Sequence, residues 1–162
     1  MAGSGAAVHG VIDGDLFVLS DKIIMDGTVT GDMYVLGSQV TIDGNIYGNL
    51  VVIAGETNIS GVLSNNACVL SAALTYDGQA GKDLITLSME SKMAGSIGDD
   101  LRAFGYINSI ESIVRGDALV LSSKYSILKE NVTGNIYNTN ALTDIAKEQG
   151  LDFEAEKEYK SE

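Results

Sequence analysis

The sequence predicts an all-β protein, a single-stranded parallel β-helix with three short strands in each rung and about seven rungs of about 17 residues. Three observations support this fold class. Glycines recur every 17 residues, apolar residues recur in phase with those glycines, and the chain of 162 residues contains 19 glycines but no proline. Many glycines without proline are typical of tight turns between regular strands.

The repeat is visible in segments that align on this period. Gly10, Gly27 and Gly44 begin a series that continues at residues 61, 78 and 95. The aligned strand segments are DLFVLS at 15–20, DMYVLG at 32–37, NLVVIA at 49–54, NACVLS at 66–71, DLITLS at 83–88, DLRAFG at 100–105 and DALVLS at 117–122. A last copy, NIYNTN, begins at Asn135, so the rung that begins at Asp117 has 18 residues.

Four columns of the alignment hold mostly apolar residues and are predicted to point inward. They begin at Leu16, Val18, Met25 and Val29 and recur in every rung. Within a rung these positions alternate with polar ones, as expected for strands. The column that begins at Ser20 holds only small residues and predicts a corner. Rungs stacked at ~4.8 Å would bury a continuous core that no single rung can form.

The chain changes character on both sides of the repeat. Residues 1–7 are predicted to be a flexible leader, and residues 8–137 the β-helix domain. Residues 138–162 are predicted to form a short helix and an acidic tail. Leu142, Ile145 and Ala146 have helical spacing there, and Gly150 is expected to break the helix.

The phased motifs resemble those of the bactofilins, a family of polymer-forming bacterial cytoskeletal proteins. The resemblance is carried by I-x-G-D-L from Ile12 to Leu16, by M-D-G-x-V-x-G-D from Met25 to Asp32 and by I-D-G-N-I-x-G-N-L at 42–50. It covers about residues 8–137. It implies a right-handed β-helix that assembles end to end into non-polar filaments without nucleotide, close to the cytoplasmic membrane, as a cell-shape protein or a scaffold.

Two features depart from that family's usual pattern. The proline-containing flanks common among bactofilins are missing, and an acidic C-terminal extension is present. Both departures concern how such a polymer would be attached, so a membrane association through segments outside this chain is left open.

The two ends of the rod are the first candidate functional surfaces. A β-helix exposes unpaired backbone groups at each terminal rung, and soluble monomers usually block such edges. The small residues before Val8 form no amphipathic cap. We therefore expect polymerisation through the terminal rungs, at Val8, Ile12, Ile127 and Ile136.

An outward column is the second candidate surface. If Leu16 and Val18 point inward, the residues between them point outward, and they form an apolar stripe: Phe17, Tyr34, Val51, Cys68, Ile85 and Leu119, interrupted by Arg102. A stripe of this length exceeds what monomers usually expose. Two interpretations stay open. The C-terminal helix could cover part of the stripe through Leu142 and Ile145, or the stripe could serve lateral pairing of filaments or docking of a partner.

Few residues point to catalysis or metal binding. His9, the only histidine, would be the general base of a hexapeptide-repeat acyltransferase, but the apolar residues do not follow a six-residue period. The acidic columns that begin at Asp15 and Asp26 would suit calcium between rungs, although Asp and Asn also stabilise turns through local backbone N–H groups, which we favour. No carboxylate pair is singled out for glycan hydrolysis. Cys68 is expected to be a packed thiol.

Composition narrows the classes of partner. Ten Lys and Arg against 22 Asp and Glu give a net charge of -12, which argues against nucleic acid as a partner. One cysteine excludes an internal disulfide and a cysteine-cluster metal site, and no cofactor is expected. No apolar run approaches the ~20 residues of a membrane span, and no signal peptide is visible.

These observations and the resemblance together predict a structural, self-assembling scaffold that is not an enzyme and whose partner is a second copy of itself. Its expected location is the cytoplasm, with the inner face of the cell membrane left open. The alternative is a non-polymerising β-helix interaction module, monomeric or dimeric. Such a module would display the apolar stripe to a partner or form the soluble part of a membrane-attached protein.

Overall fold

The protein is a parallel β-solenoid of about eight turns with about 17 residues per turn. The computed structural model describes residues 5–139. Strand pairs are parallel, and paired residues in the central rungs lie 17 positions apart in the chain, as Leu16 and Met33 do, and Met33 and Leu50. The predicted all-β parallel fold is confirmed. The predicted C-terminal helix and most of the predicted leader lie outside the described residues, and the handedness implied by the resemblance stays a prediction.

Each of the six rungs between residues 16 and 114 contains one strand of ten residues and one of two residues, and the rungs at the two ends have shorter or fewer strands. Strands β1 to β8 are Ala6–Val8, Val11–Ile12, Leu16–Met25, Thr28–Val29, Met33–Ile42, Asn45–Ile46, Leu50–Ile59 and Val62–Leu63. Strands β9 to β16 are Ala67–Tyr76, Gln79–Ala80, Leu84–Met93, Ser96–Ile97, Leu101–Ile110, Ile113–Val114, Ala118–Ile127 and Ile136–Asn138. The ten-residue strands form a nine-stranded sheet with β1 and β16 at its edges, and the two-residue strands form a second, seven-stranded sheet.

The ten-residue strands bend at the predicted corner. Where β3 pairs with β5, Ser20 pairs with Gly37 and Lys22 with Gln39, whereas Asp21 is left out of the ladder. Burial alternates along β3 until Asp21 and Lys22, which are both exposed and shift the alternation by one residue. Two of the three predicted short strands are therefore joined into one bent strand.

The four predicted apolar columns form the core. Their members are almost fully buried in the central rungs, as in Leu50, Val52, Ile59 and Leu63. A fifth inward column was not predicted, because several of its members are polar. It consists of Ile23, Val40, Thr57, Leu74, Ser91, Asn108 and Tyr125.

The polar members of this fifth column meet different partners. The Ser91 hydroxyl donates a hydrogen bond to Oδ1 of Asn108, whose amide Nδ2 donates in turn to the Ser122 hydroxyl. The Thr57 hydroxyl is fully buried without a hydrogen-bond partner in the described chain. Burial of an unpaired hydroxyl is unfavourable, so the apolar columns on either side must offset that cost.

Glycines occupy the turns where successive rungs approach most closely. A Cβ atom added at Gly44 would lie 2.0 Å from the carbonyl oxygen of Gly27, and one added at Gly61 would lie 2.1 Å from that of Gly44. No side chain fits such a gap. The glycine period in the sequence thus reflects the contact between rungs at this corner.

Both ends of the described chain show small departures from the regular rung. A short 3-10 helix at Lys129–Asn131 absorbs the extra residue of the last full rung, so that Ala118 pairs with Ile136, 18 positions away, as predicted. At the other end, Ala6 pairs with Ile23, which places residues 6 and 7 of the predicted leader in strand β1.

Candidate functional site

The core columns reach the N-terminal end of the rod. Strand β1 is the edge of the nine-stranded sheet and β2 is the edge of the seven-stranded sheet. Val8 in β1 and Ile12 in β2 are partly buried and pack against the core. Their equivalents in the middle of the rod, such as Ile42 and Ile46, are fully buried. In the described chain, therefore, the core side chains of the N-terminal rung are covered on one side only.

The C-terminal end is similarly open among the described residues. Strand β16 pairs with only Ala118–Val120 of the ten residues of β15. Ile127 and Ile136 are partly buried and pack against the core. Together with Val132 they line a recess of about 590 Å³. The four predicted end residues thus lie where the core meets the two terminal rungs, and their role in polymerisation stays a prediction.

The predicted apolar stripe lies in one outward column of the nine-stranded sheet. Ladder pairs join Phe17 to Tyr34, Tyr34 to Val51, Val51 to Cys68 and Cys68 to Ile85. Leu119 continues the column after Arg102. Cys68 is exposed, so its expected packing is wrong, because its column points outward and nothing in the described chain covers it.

A second apolar column, missed in the sequence, runs beside the first. It consists of Leu19, Leu36, Ile53, Leu70, Leu87, Phe104 and Leu121. All seven rungs supply a large apolar side chain at this position, so the column was visible in the alignment of the repeats. The two columns together define the apolar face of the solenoid. With the second column, the apolar surface is two columns wide instead of one.

The one charged residue of the apolar face is turned towards its edge. The Arg102 guanidinium contacts Oδ2 of Asp83 at 3.0 Å and Oδ2 of Asp100 at 2.9 Å. Both carboxylates lie in the column that borders the face. Arg102 therefore directs its charge to the acidic border rather than across the apolar surface.

The rings at the N-terminal end of the face are stacked. The centroids of Phe17 and Tyr34 are 5.4 Å apart with an interplanar angle of 20°. The Tyr34 hydroxyl donates to Oδ2 of Asp32 at 3.4 Å. The charge of Asp32, helped by desolvation, raises the pKa of Tyr34 above its ordinary value.

The acidic column that borders the face forms a ladder of hydrogen bonds, which we call the Asx ladder. Each side-chain Oδ1 accepts the backbone N–H of the residue in the same column of the next rung. The successive acceptors are Asp15, Asp32, Asn49, Asn66, Asp83, Asp100 and Asp117. The sequence favoured hydrogen bonds to local backbone N–H groups, and that detail is wrong, because each acceptor bonds an N–H group 17 or 18 residues away in the next rung. Aspartate and asparagine fill the same role in this column.

Three carboxylates lie close enough together to consider a cation. Oxygen atoms of Asp83, Asp99 and Asp100 lie within 4.8 Å of one another. Arg102 already contacts two of the three groups, and the Oδ1 atoms of Asp83 and Asp100 accept ladder N–H groups. The Arg102 guanidinium therefore supplies positive charge to this cluster. Two of its three carboxylates, Asp83 and Asp100, already belong to the Asx ladder.

His9 lies in the turn between β1 and β2 and pairs with the next rung. Its Nδ1 is 2.6 Å from Oδ1 of Asp26, and both side chains are largely exposed. The same column holds another rung-to-rung contact, in which the Ser60 hydroxyl donates to Asp43. An exposed pair of this kind contributes little to stability. The contact of His9 with Asp26 is therefore of the kind that joins successive rungs in this column. The expectation that the chain is not an enzyme stays a prediction.

Comparison of the chain with models of protein families, with curated proteins and with solved structures gave no match. Within residues 5–139, no helix is both long and apolar enough to cross a membrane. The function must therefore be argued from the surfaces described above.

Proposed function

We propose that this chain is a structural scaffold that assembles by stacking solenoids end to end. One observation carries the proposal: the core columns and both sheets run to the terminal rungs of the described chain, where Val8, Ile12, Ile127 and Ile136 are only partly buried. A second copy placed on such an end would bury those side chains. The resemblance of the repeat to bactofilins supports the same function.

The contact between rungs inside the solenoid indicates which interactions would stabilise an end-to-end junction between two copies. Strands β5 and β7 share nine paired residues, and the columns beneath them are almost fully buried. A junction with similar geometry would pair the edge strands and complete the core. Each large apolar side chain that becomes fully buried would stabilise the junction by about 1.5–3 kcal/mol. Burial and backbone pairing alone drive this association, so it needs no nucleotide.

A second candidate is a non-polymerising interaction module that uses the apolar face. The breadth of that face favours it, since 13 of its 14 positions are apolar across the seven rungs. In this case the chain would be a monomer or a dimer, and an aspartate at Leu36 would disrupt its association. Substitutions at the rod ends would then have no effect on particle size.

Sedimentation velocity of the purified full chain distinguishes the two candidates. The wild-type chain should form species far larger than 17.0 kDa without nucleotide and in a concentration-dependent manner. Ile12→Asp should reduce them to dimers or monomers, because it places a charge in the N-terminal junction. The matched control is Val62→Asp, which introduces the same charge at an exposed position in the middle of the rod. Circular dichroism should show that both variants are folded.

The products of the end variants also reveal the polarity of the assembly. If like ends meet, Ile12→Asp leaves the C-terminal junction intact and yields dimers, as does Ile136→Asp at the other end, while the double variant is monomeric. If unlike ends meet, each single variant yields monomers. A wild-type chain that sediments as a monomer at all concentrations, or an Ile12→Asp variant that assembles like Val62→Asp, would contradict the proposal.

A further inference from the structure

The apolar face is long and narrow, and its long axis follows the rod. Its two columns lie two residues apart in each strand, which separates them by ~7 Å, and its seven rungs give it a length of ~30 Å. Its side chains are well exposed, at 79% for Phe17, 74% for Leu19 and 52% for Leu87. A strip of these proportions fits one α-helix of ~20 residues laid along the rod, since such a helix is ~30 Å long and ~10–12 Å wide.

The repeat of the face also suits a helix in this direction. One helical turn advances ~5.4 Å, which is close to the ~4.8 Å between rungs. In an amphipathic helix, apolar side chains at positions i, i+3, i+4 and i+7 form a stripe with at least one member in each turn. Each turn of such a helix would therefore lie over about one rung and its two apolar side chains.

The two long edges of the face differ in charge. One edge is the Asx ladder, which carries five carboxylates: Asp15, Asp32, Asp83, Asp100 and Asp117. Along the other edge, in the central rungs, lies an apolar groove of about 570 Å³ between the column of Leu70 and the side chains of Met89 and Tyr106. The face therefore has one acidic edge and one apolar edge.

The negative charge of the acidic edge is balanced at its C-terminal end only in part, and at its N-terminal end not at all by the described chain. Arg102 contacts Asp83 and Asp100. At Asp15 and Asp32, Oδ1 accepts a backbone N–H group, and no lysine or arginine within residues 5–139 forms an ion pair with either carboxylate. Uncompensated charge thus lies beside the most exposed apolar side chains of the face.

A second copy of the chain does not supply the complementary charge. No column of the described rungs carries more than two lysines or arginines, and each chain has a net charge of -12. A helix with a row of basic residues beside its apolar stripe does supply that charge. Complementary charge across an interface raises the rate of association and fixes the orientation of the partner.

We propose that the apolar face binds an amphipathic helix of a partner protein, laid along the rod, with its apolar residues on the two columns and its basic residues along the Asx ladder. The helix covers Phe17 and Leu19 and places basic side chains near Asp15 and Asp32. This inference does not depend on end-to-end assembly, because the face lies along the side of the rod and both rod ends stay accessible.

Binding of a synthetic helix to the purified full-length chain tests the proposal. The probe is a fluorescent peptide of ~20 residues with leucines at positions i, i+3, i+4 and i+7 and lysines along one side of the leucine stripe. Its matched control has glutamate in place of every lysine. Fluorescence anisotropy should show saturable binding of one lysine peptide per chain, and at least ~tenfold weaker binding of the glutamate peptide. The difference should shrink at high salt.

One pair of variants locates the apolar contact. Leu36→Asp places a charge in the middle of the proposed interface and should weaken binding of the lysine peptide at least ~tenfold. Val62→Asp introduces the same charge at an exposed position of the seven-stranded sheet and should leave binding unchanged. Circular dichroism should show that both variants are folded.

A second pair locates the charged contact without disturbing the fold. The double variant Asp15→Asn with Asp32→Asn removes two charges from the border but keeps two acceptors in the ladder, where Asn49 already serves as one. It should weaken binding by about three- to tenfold. Its control is Asp43→Asn with Asp77→Asn, which removes the same charge from the turns at the other end of the ten-residue strands.

Three results would overturn the proposal. The first is no binding of the lysine peptide. The second is equal binding of the two peptides, or equal effects within both pairs of variants, which would mean that the peptide is attracted only by the net charge. The third is a fall in the sedimentation coefficient of Leu36→Asp without peptide, which would assign the face to a second copy. Variants at the rod ends test filament formation separately.

Discussion

Single residues in the turns connect one rung to the next more directly than the core does. In the Asx ladder, Oδ1 of Asp32 accepts the backbone N–H of Asn49 at 2.7 Å, and also its side-chain amide at 3.1 Å. Seven such acceptors repeat along the rod. The ladder therefore holds the rung spacing at the border of the apolar face.

Replacement of Asp32 by alanine should lower the free energy of unfolding by about 1–3 kcal/mol, since a charged acceptor is lost from a partly buried N–H group. Asp32→Asn should cost less than 1 kcal/mol, because asparagine fills the same position at Asn49 and Asn66. Urea denaturation measures both values. Glu56→Ala, which removes an exposed carboxylate outside the ladder, is the control. If the three substitutions change the free energy of unfolding equally, the hydrogen bonds of the ladder do not contribute to stability.

Tyr76 predicts how stability changes in alkali. It is fully buried, its hydroxyl donates to the Ser96 carbonyl oxygen at 2.9 Å, and burial raises its pKa far above the ordinary value of 10.0. Above pH 10 the unfolded chain loses this proton while the folded chain keeps it, so stability falls as pH rises. Below pH 10 the contribution of this group is constant.

The variant Tyr76→Phe isolates that effect. At pH 7 it should be less stable than the wild type by about 1 kcal/mol, because one buried hydrogen bond is lost. Between pH 10 and pH 11.5 the wild type should lose stability faster, so the difference should shrink or reverse. Unfolding followed by circular dichroism at a series of pH values measures this. Parallel pH profiles of the two chains would contradict the assigned cause.

At the scale of the element, the turn glycines decide how closely rungs stack. Gly44→Ala should destabilise the fold by about 1–3 kcal/mol or more, because its Cβ would overlap the Gly27 carbonyl oxygen. Gly5→Ala should be nearly neutral, since its Cβ would lie 3.5 Å from its nearest neighbour, an ordinary contact. Thermal unfolding measures both. A neutral Gly44→Ala would mean that the rungs can separate at this corner without cost.

The strands show how far the sequence determines the fold. The period of 17 identified four core columns, because apolar residues such as Val18 and Val29 recur beside polar neighbours. The column of Ile23 was missed, since Thr57, Ser91 and Asn108 interrupt its apolar pattern while remaining buried. Burial of those side chains depends on the bend at the corner, which shifts the alternation and is not encoded in the period alone.

The candidate site was predicted less completely than the fold. The stripe that begins at Phe17 was recognised, but the parallel column that begins at Leu19 was not. The alternation that places Phe17 outward also places Leu19 outward, so this column could have been found in the alignment. It was missed because every residue of the segment LFVL is apolar, which hides the alternation. The groove beside the two columns depends on the contrast of side-chain size across a corner, which a column-by-column alignment does not measure.

At the scale of the whole molecule, the solenoid should tolerate the loss of one complete rung. Deletion of residues 50–66 joins Asn49 to Ala67 and keeps every column in register, so a cooperatively folded chain shorter by ~4.8 Å is expected. Deletion of residues 52–67 removes one residue fewer and joins Val51 to Cys68 within a strand, so the rest of that strand turns its inward side chains outward, which should lower the free energy of unfolding. Circular dichroism during urea denaturation measures the difference. Equal behaviour of the two chains would contradict the columnar core.

Electron microscopy of the purified full-length chain tests the central claim, that open rungs at both ends of the solenoid drive assembly. The account predicts thin, unbranched filaments without nucleotide, with a rung spacing of ~4.8 Å that continues across the junctions between copies. Ile12→Asp should abolish them, and Val62→Asp should not. Uniform particles no longer than one or two solenoids, at any concentration of the wild-type chain, would contradict the account.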